Sequence, residues 1–445
     1  MPSPTVGTHD PLSTKMSDAL RPVPDAPAPP APPSSRHLPA LDGVRGIAIL
    51  MVMLLHFTTV LVLPAGSAAA PLRYVFMSGG WGVDLFFALS GFLITGILLD
   101  AKGTEGYFRT FYARRVLRIF PLYYLILALY FFGAWRVAGP AHHIPANQQL
   151  WYWGFLGNFE PLPWESRTMI GHLWSLGIEE QFYLVWPLTI FLCSRQRLLK
   201  VCLIGAVVAL VSRTLVLYVT GDVGLAYHWT PGRVDGLALG AVVAILLRDP
   251  RGLAGLKRWT PWVASLASTV LTAAVLSRRP FDFAEHTTSF LMMTVGYSAI
   301  AMLCAATVAW VVAAGRTSRL SRAASVRPLI VFGRYSYAIY MLHPALLRVA
   351  TKVGAAPSPA ALAAHPFAWL LVFPGAMMAV SLAAGVTSWH AFEKHFLRLK
   401  HHFEYQQAAG NDRPALISGP DGVVAPTRSQ QVAAQFAPGP AHVEG

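Results

Sequence analysis

Four ionisable residues lie within or at the edge of strongly apolar stretches, and their types suit acid–base chemistry. Arg45 opens one stretch and His56 follows eleven residues later, about 16 Å along a helix and near the middle of a bilayer. Glu179 and Glu180 lie about 11 Å into another stretch that enters from the opposite side. A carboxylate beside an imidazole fixes its tautomer and stabilises the imidazolium, so we predict a catalytic base, His56, with Glu180 or Glu179 as its partner. The alternative is a structural histidine, hydrogen-bonded between helices.

Two arginines stand three residues apart at the start of a further apolar stretch. Arg115 and Arg118 share one face of a helix because of that spacing. A guanidinium group binds phosphate oxygens through two parallel hydrogen bonds, so these residues, together with Arg45, are candidates for binding a phosphorylated cofactor. The alternative is the ordinary anchoring of a membrane protein to anionic lipid.

Four more polar residues lie in apolar stretches, where an ionisable side chain is costly and is therefore a candidate for function. The predicted substrate-binding residues are Asp84, His172, Asp235 and His343. Asp235 has a structural alternative, an ion pair with Arg233. His343 has one as well, because Pro344 frees a helix carbonyl that a polar neighbour can satisfy.

The composition excludes an ordinary water-soluble enzyme. Of the 445 residues, 54% are apolar and only 13% are charged, about half of the roughly 25% charged residues found in soluble domains. The three cysteines lie in apolar stretches without metal-ligand spacing, so we predict neither a disulfide framework nor a metal site.

Hydropathy predicts an all-α polytopic bundle of about ten transmembrane helices. The predicted membrane domain covers residues 38–400, between a Pro- and Ala-rich disordered tail at 1–37 and a polar disordered tail at 401–445. The predicted spans are 46–63, 80–99, 119–135, 173–193, 199–219, 233–247, 259–277, 291–314, 329–349 and 367–390.

The distribution of Lys and Arg predicts the orientation of these spans. When the loops are counted alternately, 23 basic residues fall on the side of the two termini and six on the other side. Positive residues concentrate in cytoplasmic loops, so we expect both termini in the cytoplasm and the protein in the inner membrane. This asymmetry accounts for the net charge of +14 without a nucleic-acid partner.

Five sequence stretches, taken in order, resemble the acyltransferase type 3 family of membrane O-acyltransferases. The resemblance covers about residues 38–400, and each stretch falls at a different expected helix. The stretches are LDGVRG at 41–46 continuing to His56, FFALSGFLI at 86–94, RRVLRIFP at 114–121, HLWSLGIEEQFY at 172–183 and SYAIYMLH at 336–343.

The resemblance implies an acyl-CoA-dependent enzyme with a carbohydrate acceptor, either a cell-surface glycan or a glycosylated metabolite. The family pairs Arg-x10-His and Arg-x-x-Arg are intact as Arg45 with His56 and Arg115 with Arg118. Acyl-CoA, usually acetyl-CoA, is then expected to dock on the arginines from the cytoplasm. His56 is expected to act as a general base or as a transient acyl carrier, with no metal required. The expected reaction is O-acetylation, and the expected process is polysaccharide modification.

A transporter or flippase is the alternative from a different functional class. Ten spans, a midplane histidine and buried carboxylates also suit proton-coupled movement of a lipid-linked or anionic substrate. The sequence shows no clear internal repeat of the transporter kind, and an arginine pair at the cytoplasmic mouth favours an anionic cosubstrate. We therefore expect an enzyme.

Overall fold

A computed structural model of the protein describes residues 38–134, 136, 139, 143–159, 169–277, 290–315 and 318–405. The predicted N-terminal tail at 1–37 and most of the predicted C-terminal tail, residues 406–445, lie outside the described residues. The regular elements of the described chain are helices, so the predicted all-α fold class is confirmed.

Within the described residues, ten helices of 14 to 26 residues occupy the ten positions predicted from hydropathy. They are α1 Pro39–Thr59, α2 Trp81–Ala101, α3 Tyr107–Leu129, α4 Trp174–Leu192, α5 Arg195–Thr220, α6 Val234–Leu247, α7 Gly252–Leu276, α8 Tyr297–Ala313, α9 Ser336–Lys352 and α10 Pro366–Ser388. Shorter α-helices are Ala70–Met77, Ala146–Trp153, Val223–His228, Arg319–Ala324, Arg327–Arg334, Pro359–Ala364 and Lys394–Arg398.

Seven helical segments of the described chain are long and apolar enough to cross a membrane. They contain α1, α2, α3, α5, α7, α8 and α10. The other three predicted spans are helical but shorter or more polar. The α4 helix carries the two glutamates, α6 has 14 residues and so is about 21 Å long, and α9 has 17 residues with an internal proline.

Two helix boundaries differ from the hydropathy prediction in ways that matter for the site. The α3 helix begins at Tyr107, twelve residues before the predicted span at 119, so Arg115 and Arg118 lie within the helix. The α1 helix begins at Pro39, a residue suited to the first turn of a helix. That helix ends at Thr59, four residues before the predicted limit at 63, so His56 lies in its last turn.

The outer surface of the bundle is apolar along helices that have few neighbours. The α5 helix exposes Ile204, Val207, Val211 and Leu215, which follow the three-to-four-residue spacing of one helix face. An exposed apolar stripe of this length is stable against hydrocarbon rather than water. This surface agrees with a multi-pass membrane protein.

Close packing of α2 against α6 depends on glycine. A Cβ atom at Gly91 of α2 would overlap the carbonyl oxygen of Leu237, and a Cβ at Gly240 of α6 would overlap that of Ala88. Small residues let helix backbones approach closely, which is the main source of helix association in membranes. The α2 helix also contacts α1 and α4, and α1 contacts α9 and α10. The helices that carry the candidate site residues are thereby brought together.

The glycine contact gives a stability prediction. We expect Gly240→Ala to lower the thermal unfolding temperature of the detergent-solubilised protein, because the new methyl group must push α2 away from α6. Gly375→Ala is the matched control, since nothing lies within 4 Å of its added Cβ in α10 and alanine has the higher helix propensity. Equal unfolding temperatures for the two variants would contradict this packing.

Candidate active site

Three histidines from separate parts of the chain meet at one end of the bundle. The ring centroid of His343, in α9, lies 4.9 Å from that of His56 at the end of α1. It lies 5.5 Å from the ring of His172, which belongs to the 3-10 turn Gly171–Leu173 before α4. The structure therefore brings together three predicted site residues. Within the described chain, no group of three or more His, Cys, Asp or Glu residues forms a metal-binding arrangement.

His56 and His343 share a hydrogen bond. The Nε2 atom of His343 lies 3.1 Å from Nδ1 of His56, and the same Nδ1 lies 3.0 Å from the carbonyl oxygen of Val52. The other nitrogen of His343, Nδ1, lies 2.8 Å from the carbonyl oxygen of Tyr340 and 3.1 Å from that of Ile339. His56 is partly exposed, whereas His343 is 0% exposed.

His172 is held through a hydrogen bond to its backbone carbonyl oxygen, whereas its ring nitrogens form no hydrogen bond in the described chain. The Tyr340 hydroxyl donates to the carbonyl oxygen of His172 at 2.8 Å and lies 2.5 Å from the Ser175 hydroxyl. The imidazole is 4% exposed, and neither ring nitrogen has a hydrogen-bond partner in the described structure. A buried polar group without a partner costs about 1–3 kcal/mol, so these nitrogens are suited to a ligand.

The two glutamates lie beside arginine rather than beside His56. Glu179 accepts a hydrogen bond from the Ser90 hydroxyl at 2.6 Å, and Tyr183 donates to the same Ser90 oxygen at 3.0 Å. Glu180 interacts electrostatically with Arg115, and its buried Oε1 has no hydrogen-bond partner in the described chain.

The expected contact between a glutamate and His56 is therefore corrected. Among the described residues, no hydrogen bond or ion pair joins either carboxylate to the imidazole, whose side-chain partner is His343. The physical reason is the position of the helix end: α1 ends at Thr59, so His56 lies in its last turn. There it meets His343, which also contacts His172, and the glutamates lie about two helical turns further along α4.

Three guanidinium groups form a second cluster, as predicted from their positions in α1 and α3. Arg45, Arg115 and Arg118 are close enough to interact electrostatically with one another. Arg45 pairs with Asp42 at 3.0 Å. The guanidinium of Arg115 lies over the Tyr183 ring, 5.7 Å from its centroid, and its buried Nε has no hydrogen-bond partner in the described chain. The cluster therefore has at least one N–H group, that of Arg115 Nε, available to donate a hydrogen bond to a phosphate.

One face of α4 connects the histidine cluster to the arginine cluster. His172, Ser175, Glu179 and Tyr183 follow one another at intervals of three or four residues, which aligns them on one side of a helix. Eleven residues separate the ends of this polar stripe, a distance of about 16 Å along the axis. Ser175, Ser90, Tyr183 and Tyr340 were not predicted as site residues, although all four lie within the stretches that resemble the family.

A C-terminal segment packs beside the arginine cluster. Arg114 donates to the carbonyl oxygen of Phe403 at 3.0 Å, and the guanidinium of Arg109 lies 5.8 Å from the centre of the Phe403 ring. The 3-10 turn Leu399–His402 leads into this contact. Residues 401–405 of the predicted tail therefore pack against α3.

Asp84 and Asp235 are engaged in ion pairs deep in the bundle. Asp84 lies 3.0 Å from Arg233, and Asp235 lies 2.8 Å from Arg213. Arg233 thus pairs with Asp84 and not with its sequence neighbour Asp235, and Arg213 was not predicted as a partner. Both oxygens of Asp235 have partners, whereas Oδ2 of Asp84 has no hydrogen-bond partner in the described chain. Because each carboxylate forms a buried ion pair with an arginine, this geometry favours helix packing over the substrate binding expected from sequence.

Aromatic rings surround the Arg233 side chain, which is 1% exposed. Its guanidinium carbon lies 4.8 Å from the ring centroids of Tyr227 and Tyr297 and 5.6 Å from those of Phe87 and Trp174. Cation–π attraction stabilises a desolvated guanidinium. Because Trp174 begins α4, this cage holds the helix start beside His172.

Neutralising one partner of this pair has a predicted cost. We expect Asp84→Asn to destabilise the protein by about 3–5 kcal/mol, because the buried Arg233 charge loses its counter-ion. Asp249→Asn is the matched control: it removes a partly exposed pair with Arg195 and is expected to cost about 0–1 kcal/mol. Thermal unfolding of both variants in detergent measures the difference, and equal losses would refute a structural role for Asp84.

The fold and these clusters define a polytopic membrane protein with imidazole and guanidinium groups in its interior. The chain belongs to the acyltransferase 3 family: the family profile, described as an acyltransferase domain, matches residues 38–388. This membership confirms the predicted family.

Curated relatives of the chain share between a quarter and a third of its residues over the matched region. YrhL of Bacillus subtilis is 29% identical over 343 residues, which is 72% of this chain and 50% of the relative. The O-acetyltransferase OatA of Staphylococcus aureus is 27% identical over 340 residues, 70% of this chain and 50% of the relative. The peptidoglycan O-acetyltransferase OatA of Listeria monocytogenes is 28% identical over 345 residues, 72% and 51% respectively.

The chain spans about half the length of the curated relatives that it matches. No solved structure matches it at a significant level.

Proposed function

We propose that this protein is a membrane O-acyltransferase that moves an acetyl group from acetyl-CoA to a hydroxyl group of a cell-envelope glycan. The observation that carries the proposal is the polar stripe of α4, which joins a cluster of guanidinium groups to a cluster of imidazoles. The pantetheine arm of acyl-CoA separates its phosphates from its thioester, and a stripe of about 16 Å suits an extended arm of this kind.

The arginine cluster is the proposed anchor for the donor. Arg115 and Arg118 offer guanidinium forks to the phosphates, and Arg45 lies within electrostatic range of both. Glu180 lies close enough to interact with Arg115 and is proposed to orient that side chain. The excess of Lys and Arg on the side of the termini supports entry of acyl-CoA from the cytoplasm.

His56 is the proposed general base. Its imidazole takes the proton of the acceptor hydroxyl while the hydroxyl oxygen attacks the thioester carbonyl carbon. The C–S bond then breaks, and the proton passes from the imidazolium to the leaving thiolate, which gives the O-acyl product and free coenzyme A. His172, with two unpartnered ring nitrogens, is proposed to bind the acceptor.

The proposed acceptor is a carbohydrate on the outer side of the membrane. The Listeria relative is named a peptidoglycan O-acetyltransferase, and its likeness to this chain supports a polymer of that kind. The position of His56 in the last turn of α1, at the end opposite the N-terminus, agrees with an acceptor that approaches from outside.

Removing the base tests the proposal directly. We expect His56→Ala to lower kcat for acetyl transfer from labelled acetyl-CoA to glycan in membranes by about 10²–10⁴-fold, the range that a positioned base contributes. Coenzyme A should still raise the thermal stability of this variant, because the arginine cluster is intact. His395→Ala, an exposed histidine outside the clusters, is the control. Full activity of His56→Ala, or a labelled histidine adduct formed without acceptor, would contradict the base mechanism.

The donor site makes a separate prediction. We expect Arg118→Gln to raise the KM for acetyl-CoA by about 10–100-fold, which corresponds to the loss of a charge-assisted hydrogen bond of about 1.5–3 kcal/mol. Arg109→Gln, an exposed position on the same helix, should leave KM unchanged. Loss of coenzyme A stabilisation in both variants alike would argue against a specific phosphate site.

A further inference from the structure

The carbonyl oxygens beside His56 and His343 determine which ring nitrogens carry a proton. Both carbonyl oxygens next to Nδ1 of His343 can only accept, so this nitrogen carries the ring proton. Nδ1 of His56 faces the carbonyl oxygen of Val52 and therefore also carries a proton. Two N–H groups cannot face each other at 3.1 Å, so Nε2 of His343 is the acceptor. The lone pair of His56 consequently lies on its Nε2.

A proline supplies the acceptor that orients His343. Within α9, the carbonyl oxygen of Tyr340 would normally accept from the backbone N–H of residue 344. Pro344 has no N–H, so that carbonyl lacks its helical donor. Nδ1 of His343 lies 2.8 Å from this oxygen and replaces the missing bond. The proline that follows His343 thus favours the His343 tautomer with its proton on Nδ1.

We propose that His343 is the positioning residue of the reaction and that Pro344 sets the tautomer through which it acts. The inference rests on the proposed function, because it assigns a role to the partner of the catalytic base. The Nδ1–H group of His56 is shared between the carbonyl oxygen of Val52 and Nε2 of His343, both of which accept. This arrangement leaves Nε2 of His56 as the base. The sequence assigned the part of His343 to a glutamate.

His343 acts through His56 and not on substrate. Its side chain is 0% exposed, both of its nitrogens are occupied, and the Phe57 ring approaches it edge-on with centroids 6.1 Å apart. The predicted substrate-binding role is therefore replaced by a positioning role. His56 is the partly exposed member of the pair and so the one that substrate can reach.

The hydrogen bond gains strength as the reaction proceeds. When Nε2 of His56 takes the hydroxyl proton, its ring becomes cationic, and Nδ1–H becomes a stronger donor to His343. When the thiolate leaves, it takes the Nε2 proton and restores the neutral pair. His343 keeps its own proton throughout, since the carbonyl oxygen of Tyr340 cannot receive it.

Amide substitutions at position 343 separate this role from a structural one. The Oε1 of His343→Gln can replace Nε2 as acceptor, whereas the shorter His343→Asn places its amide near the position of Nδ1. We expect His343→Asn and His343→Leu to lower kcat by about 10²-fold with KM for acetyl-CoA unchanged, and His343→Gln to recover most of it. Equal rates for Gln and Asn in proteins of equal thermal stability would overturn the proposal.

Pro344→Ala tests the origin of the tautomer without touching either histidine. The new N–H can bond to the Tyr340 carbonyl, so we expect a higher unfolding temperature together with a several-fold lower kcat. An unchanged kcat would overturn the assignment to Pro344. Wild-type membranes without acetyl-CoA-dependent transfer would refute the proposed function itself, whereas activity that survives every change at position 343 would refute only this inference.

Discussion

Polar groups that leave water need partners, and this requirement joins the helices of the bundle to one another. Arg233 reaches from the start of α6 to Asp84 of α2, and Arg213 reaches from α5 to Asp235 of α6. Each pair is nearly fully buried, so each fixes the rotation of two helices about their axes and their axial register. The glycine contacts between α2 and α6 add close backbone packing to the same junction.

The same requirement shapes the candidate active site. Most polar side chains on this face of α4 have a hydrogen-bond partner on another helix: Ser175 bonds to the Tyr340 hydroxyl, and Glu179 accepts from Ser90. Where partners are missing, at the ring of His172 and at Nε of Arg115, the unsatisfied groups lie at opposite ends of the stripe. A bound molecule that reaches from one end to the other would complete the pattern.

Much of the fold was predictable from the sequence, and the site was predictable in part. The ten helix positions follow from hydropathy, because an apolar run of helical length can be recognised without knowing which segments pack against it. Arg45, Arg115 and Arg118 were expected to share a ligand, and they lie together. The partner of His56 was predicted wrongly, because depth along a helix does not show which neighbouring helix a side chain faces, and the last turn of α1 faces His343 of α9. Arg213 was missed although it lies inside the predicted span 199–219, where an ionisable side chain is a candidate for function. Its sequence position does not identify its partner.

The sequence by itself determined which residues are apolar, where helices form and which family the chain resembles, because these properties depend on neighbours along the chain. Even the proton position on His343 is local, since it follows from Pro344 one residue away. Only the tertiary structure decided that His343 meets His56 and that Asp84 meets Arg233. Such partners depend on helix ends and on rotation about helix axes, and both are set by packing between segments far apart in sequence.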